Sequence, residues 1–199
     1  LSCSGAITIP VSRTVNNGLL DDGWNLIANP LPSPISWTAL RNGNTNVDNA
    51  VYAFNADLNG GAGAHTTYIN GVSSDITGGI TDVIPMCQGF YIHATNSTGV
   101  TAGENIKVNA NPTFLKANNS APKPIVRLVM DGSSNTKDMA TFYFEQGGTT
   151  HFQTDFDAYK MIFDSSLPYI SSMSDSISTC INGLPQLNSN LTIPVKAIT

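Results

Sequence analysis

Gly23–Trp37 reads GWNLIANPLPSPISW, and this stretch decides the fold. Trp24, Leu26 and Ile27 belong to a short strand, with Trp24 and Leu26 on one face because side chains alternate along a strand. Asn29-Pro30 ends it. A residue before proline disfavours the helical region, and Pro30 has no N–H for a ladder. Pro32 and Pro34 keep the chain extended up to Trp37. The Asn29 side chain is suited to satisfying backbone groups in the turn. Two tryptophans flanking a rigid proline loop form either a packed corner of the core or a platform for sugar rings.

Strand signals continue outward from this corner. Ala6–Pro10, Ala50–Phe54, Gly89–Ala94, Ile125–Met130, Ala140–Glu145, Ala158–Phe163 and Leu191–Val195 are short runs rich in β-branched and aromatic residues. Turn residues bound them at Asn16-Asn17-Gly18, Arg41–Asn46, Leu58–Gly63, Asn70-Gly71, Gly78-Gly79 and Asp131–Asn135. The one short helical candidate is Thr38–Asn42. The pattern predicts an all-β fold, an antiparallel β-sandwich or jelly roll made of two packed sandwich halves. The Asn- and Pro-rich stretch Asn109–Lys123 reads as the crossover between them. The expected units are therefore 1–115, with the proline motif, and 116–199.

Composition bounds the partners. The chain has 199 residues, 41% hydrophobic and only 12% charged, with formal net charge −5. Asn, Ser, Thr and Gly carry the surface instead, a style that suits extracellular β-proteins. The nine Lys and Arg form no cluster, which argues against a nucleic-acid partner and an anionic membrane surface. No apolar run approaches the ~20 residues that span a bilayer as a helix. The start at Leu1, without Met, reads as a mature or excised segment of a larger protein.

Candidate chemistry is sparse. Asn55, Asp57 and Asn59 match the first half of a calcium loop, but Thr66 stands where the bidentate Glu belongs. The alternatives are a plain turn or a calcium site completed by Asp75 or Asp82. Asp155, Asp157 and Asp164 form a second acidic group, either a cation site or a solvated edge. Trp24, Trp37, Tyr52 and Tyr68 are the candidate sugar platform. His65, His93 and His151 accompany no nucleophile elbow, and no carboxylate pair is placed for glycoside hydrolysis, so the chain reads as non-enzymatic. Three cysteines allow at most one internal disulfide. Cys3 with Cys180 would tie the ends together, with Cys87 reading as a buried small residue; three buried thiols is the alternative. Asn96, Asn118 and Asn190 sit in N-x-[ST] patterns.

The proline motif resembles a recurring stretch in the β-sandwich region upstream of the sorting domain of Bacteroidetes proteins exported by the type IX secretion system. Further matches follow in the order that family shows: Val51–Asn55 (VYAFN), Ile84–Ala94 (IPMCQGFYIHA), Ile125–Asp131 (IVRLVMD), Phe156–Phe163 (FDAYKMIF) and Ile181–Pro185 (INGLP). Ala28, Leu31, Ser36 and Cys87 depart from the family pattern, and Ser36 replaces an acid. The resemblance implies a structural or adhesive module of a secreted or cell-surface protein, adjoining other domains of its parent and continuing beyond Thr199. It also implies that Ser176, in Asp175-Ser176-Ile177, is an O-glycan acceptor. Two further readings compete: a carbohydrate-binding module, and a fibre subunit that self-associates by strand exchange at an edge near Leu191–Thr199.

Overall fold

The computed structural model describes residues 5–14, 22–75, 79–110, 123–133, 136–162, 165–188 and 190–199. The fold is all-β and sandwich-like. Its elements are β1 (Ile7–Ile9), β2 (Trp24–Ala28), β3 (Ile35–Ser36), α1 (Trp37–Asn42), β4 (Val51–Asn55), β5 (Ala64–Ile69), β6 (Val72–Ser73), β7 (Val83–Ile84), β8 (Gly89–His93) and β9 (Val100–Ala102). They continue with β10 (Ile125–Asp131), β11 (Lys137–Phe144), β12 (Ala158–Tyr159), β13 (Tyr169–Ser174), β14 (Ile177–Leu184) and β15 (Val195–Ile198).

One sheet has the order β2-β8-β4-β5-β6 and is antiparallel throughout. The other has the order β10-β11-β14-β13-β15, with β12 also on β14. Every strand of the first precedes residue 111 and every strand of the second follows residue 122. The expected boundary at residue 115 lies outside the described residues. The second sheet is not purely antiparallel. β11 and β14 run parallel, which requires the long connection carrying β12 and β13.

The first sheet separates two cores because its side chains alternate. Ile27, Val51, Ala53, Phe90 and Ile92 face one way, packing with Trp37, Leu40, Ile84 and Val100. Tyr52, Tyr91 and Trp24 face the other way, against Tyr143, Phe156, Ala158, Tyr159 and Ile181 of the second sheet. A third cluster, Ala140, Phe142, Phe144, Ile170 and Leu184, lies on the far face of the second sheet.

The proline motif builds the corner of the first core. Asn29 is buried, and its Nδ2 lies 2.8, 3.3 and 3.0 Å from the carbonyls of Ser33, Ile84 and Pro85. Its Oδ1 accepts from Leu31 N at 3.0 Å. One side chain therefore ties the proline loop to the β7–β8 connection. Ser36 caps α1 by accepting from Ala39 N at 3.1 Å. Asp82 adds a carboxylate to this cap: its Oδ2 accepts from Ser36 Oγ and its Oδ1 from Thr38 N, both at 2.8 Å.

Two expected strands are displaced. Of the expected strand Ala158–Phe163, the described residues contribute Ala158–Tyr159, with Phe163 outside them, and the C-terminal strand is Val195–Ile198 rather than Leu191–Val195. Replacing Asn29 with Ala leaves buried carbonyls and the Leu31 N–H without their partner. At about 1–3 kcal/mol per orphaned group, Asn29→Ala should lower stability by about 3 kcal/mol. The urea midpoint should fall at unchanged m-value.

Candidate functional site

The two sheets meet along a seam, and a cleft lies on it. The seam is held by the turn Gln153–Asp157. Asn49 N donates to Thr154 O at 3.2 Å, and the amides of Asn49 and Asn70 both donate to Asp155 O, at 3.1 and 2.7 Å. Asn49 Nδ2 also donates to Asn70 Oδ1 at 2.7 Å. Asn70 and Gly71, at φ 50° and 83°, form the tight turn that presents this amide. Tyr143 Oη donates to Phe156 O at 2.8 Å, and Tyr159 N donates to Tyr52 Oη at 2.9 Å.

Asp157 shapes the turn. Its carboxylate is buried and accepts from Gln153 N at 2.6 Å and from Gly183 N at 2.8 Å. Burial dominates these bonds and pushes its carboxyl up from 3.8 to about 6.

The cleft has a volume of about 500 Å³, within the usual range for small-molecule sites. The Leu58–Gly63 loop and β5 form one wall; Val129, Met139, Met161, Ile162 and Leu167 form the other. At its floor Lys160 Nζ donates to Asp138 Oδ1, with the lysine side chain only 8% exposed. Asp138 Oδ2 accepts from Ile170 N at 2.7 Å. The adjoining Cys180 thiol is free and buried, and burial pushes it up. The cleft can receive a ligand with an apolar body and a hydrogen-bonding end. The thiol stays protonated and the lysine is ion-paired, so neither is presented as a nucleophile.

A family profile described as a domain of unknown function, DUF8693, matches residues 2–197. The chain belongs to this family. No curated protein and no solved structure matches it.

The DUF8693 fold redistributes the residues singled out from sequence. Trp37, Tyr52 and Tyr68 are 1%, 1% and 8% exposed, so they cannot form a sugar platform. Trp37 Nε1 donates to Asn49 O at 2.8 Å, joining the first core to the seam. Trp24 is half-buried against Tyr52, His93 and Tyr159. The half calcium loop is a turn. Asn55 Oδ1 accepts from Asp57 N, and Asn59 Oδ1 accepts from Lys137 N, both at 3.0 Å. Asp57 is exposed. Among the described residues no three His, Cys, Asp or Glu are gathered as a metal site. Asp155 pairs with Arg41 at 2.7 Å while Asp157 is turned inward, so the second acidic group does not converge; Asp164 lies outside the described residues. The Cys3–Cys180 disulfide is not made at Cys180, whose thiol is free, and Cys87 is exposed rather than buried; Cys3 lies outside the described residues.

Of the glycan candidates, Ser176 sits exposed at the tip of the β13–β14 hairpin beside Asp175, both at positive φ. Asn96 and Asn190 are exposed, and Asn96 Oδ1 accepts from Thr98 N and Oγ1 at 3.2 and 2.6 Å. Asn118 lies outside the described residues. Sequence reasoning missed Asn49 and Asp138, read Lys160 only as part of a strand and a motif, and read Asn70 only as a turn residue.

Two outcomes test this site. The folded Asp157 carboxyl binds its proton more tightly than the unfolded one, so its contribution is present below pH 3.8 and lost as pH rises through about 6. That loss should amount to about 2–3 kcal/mol. Urea midpoints measured from pH ~4 to ~7 should fall through this window, and the Asp157→Asn variant should lack that component. At the cleft floor, Lys160→Met strands the Asp138 carboxylate and should cost about 3 kcal/mol. Adding Asp138→Asn, which keeps an acceptor for Ile170 N, should recover part of that loss in thermal unfolding.

Proposed function

We propose that this chain is a non-catalytic structural or adhesive module of a secreted or cell-surface bacterial protein. One observation carries the reading: the residues of the ordered motifs are committed to architecture. Asn29, Ser36 and Trp37 build the corner. Phe90 and Ile92 fill the first core. Phe156, Asp157 and Tyr159 form the seam. Gly183 leaves no space for a side chain, since a Cβ there would stand 2.7 Å from Tyr143 Oη. Of the motif residues, Val129, Lys160, Met161 and Ile162 line the cleft. A motif series spent on packing fits a scaffold that displays or spaces other parts of a larger protein.

The carbohydrate-binding reading loses its support with the burial of Trp37, Tyr52 and Tyr68. Completion by a neighbour's strand keeps one supporting observation: β15 pairs only with β13, and all four of its residues are exposed. Surface labelling of intact cells tests the main reading. The parent protein should be biotinylated by a membrane-impermeant reagent without lysis. Labelling only after lysis would sink the proposal.

A further inference from the structure

The cleft between the diverging sheets is braced rather than collapsed. Asn59, Gly60, Gly61 and Gly63 are all at positive φ, from 53° to 96°, so the Leu58–Gly63 loop folds back into a compact wall. One side chain ties that wall to the second sheet. Asn59 Oδ1 accepts from Lys137 N of β11 at 3.0 Å, while its Nδ2 donates to Gly63 O at 3.3 Å. On the facing wall Val129 and Ile162 remain 48% and 44% exposed, and Met139, Met161 and Leu167 line the same space. About 500 Å³ stands between these walls.

The charges around the cleft select against an ionic ligand. Lys160 is paired with Asp138 at the floor. Lys137 pairs with Asp131 at 3.0 Å, Asp75 lies beside Arg127, and Asp57 is exposed to water. Burial holds His65 below the usual histidine range, toward the neutral ring, and pushes the Cys180 thiol up, toward its protonated form. An ion entering the cleft would leave water for walls whose buried charges are already paired.

The ion pair still has hydrogen-bonding capacity. An ammonium has three N–H groups. Among the described residues Lys160 Nζ donates to Asp138 Oδ1 and, at a long 3.4 Å, to Met139 O. Each carboxylate oxygen of Asp138 has two lone pairs, of which Lys160 Nζ and Ile170 N each take one. The floor therefore offers a donor and an acceptor side by side. We infer that the cleft binds a small uncharged molecule with an aliphatic body ending in a carboxamide. Its carbonyl accepts from Lys160, its N–H donates to Asp138, and neither charge is left without its partner. The body lies between the Leu58–Gly63 loop and Met139 and Met161, whose flexible, polarizable side chains adapt to an aliphatic chain.

Octanamide, octanoate and octylammonium share one body and differ in the charge of the end. Titrated into the chain carrying carbon-13 methionine methyls, octanamide should shift Met139 and Met161 and leave Met86 and Met173 in place. Its Kd should be on the order of 0.1–1 mM, as suits so small a ligand. Octanoate and octylammonium should bind at least about tenfold more weakly. Leu167→Trp, which fills the cleft from its wall, should abolish the octanamide shifts, with circular dichroism and thermal midpoint reporting that the fold survives. If that variant unfolds, the contrast of Met139 and Met161 with Met86 and Met173 still locates the ligand. Unmoved Met139 and Met161 at the solubility limit, equal shifts at Met86 and Met173, or a charged congener binding as tightly as octanamide would each overturn the inference. So would binding that persists in a folded Leu167→Trp variant. None of these results bears on whether the parent protein is at the cell surface.

Discussion

The carbonyl of Asp155 is the point on which the two sheets depend. Neither sheet buries its seam face alone, because Tyr52, Tyr91 and Trp24 on one and Tyr143, Ile181 and Phe156 on the other are each other's cover. Apolar contact alone would let such faces slide, since burial is non-directional. Two side-chain amides on one carbonyl, from Asn49 and Asn70, fix the register. The chain of contacts reaches inward from there. Asn49 O accepts from Trp37, whose ring packs edge-on against Phe90 at 6.2 Å in the first core. Displacing the turn therefore disturbs a residue on the far side of the first sheet.

The same turn explains the cleft. Asp157 bonds Gly183 N on β14, so the chain leaving the turn must run along β14 as β12. That places Lys160 under the Leu58–Gly63 loop and next to Asp138. The register shift between Ala158 and Tyr159 then turns the chain away from the sheet, leaving Met161 and Ile162 as a wall. The cleft is what remains where two sheets joined at one turn diverge beyond it. Its ion pair sits at that divergence, where solvent is reduced and a lone charge would be costly.

Much of the first half was legible in the sequence because its signals are local. Asn29-Pro30 and the prolines after it dictate a corner whatever surrounds them, and β2 runs over Trp24–Ala28 as expected. The second half was harder. β14, at eight residues one of the longest strands, was legible only as the INGLP segment. Its interior includes Thr179 and Asn182, which satisfy one another's neighbours: Ser172 Oγ meets Thr179 Oγ1, and Asn182 Nδ2 donates to Ser172 Oγ, both at 2.7 Å. Buried polar side chains that find partners on the neighbouring strand erase the apolar alternation on which strand reading rests. β5 was hidden for a related reason, since Thr66 and Thr67 are buried with hydrogen-bonded partners. The seam was invisible because its residues lie far apart in sequence, with Asn49 and Asp155 joined only by the fold. The sugar platform failed because aromatic content says nothing about which side of a two-sided sheet is solvated. This sheet has a core on both sides.

The low charge content follows from the same construction. Loops in this protein are fastened mainly by neutral amides, which supply donor and acceptor from one side chain. Asn25 pairs with Ser12, Asn29 with the β7–β8 connection, Asn44 with both Leu40 O and Thr101, Asn46 with Gly99 O, and Asn59 with Gly63 O. A carboxylate or ammonium in those places would demand a counter-charge or water to offset its desolvation. An amide demands only geometry. Where the fold does bury a carboxylate at such a fastening, at Asp157, two backbone N–H groups do not outweigh the burial, and its carboxyl rises to about 6. The asparagine-rich composition thus suits a fold that ties many irregular loops to two sheets through neutral side chains, with ion pairs such as Arg41–Asp155 and Lys160–Asp138 at the seam and the cleft floor.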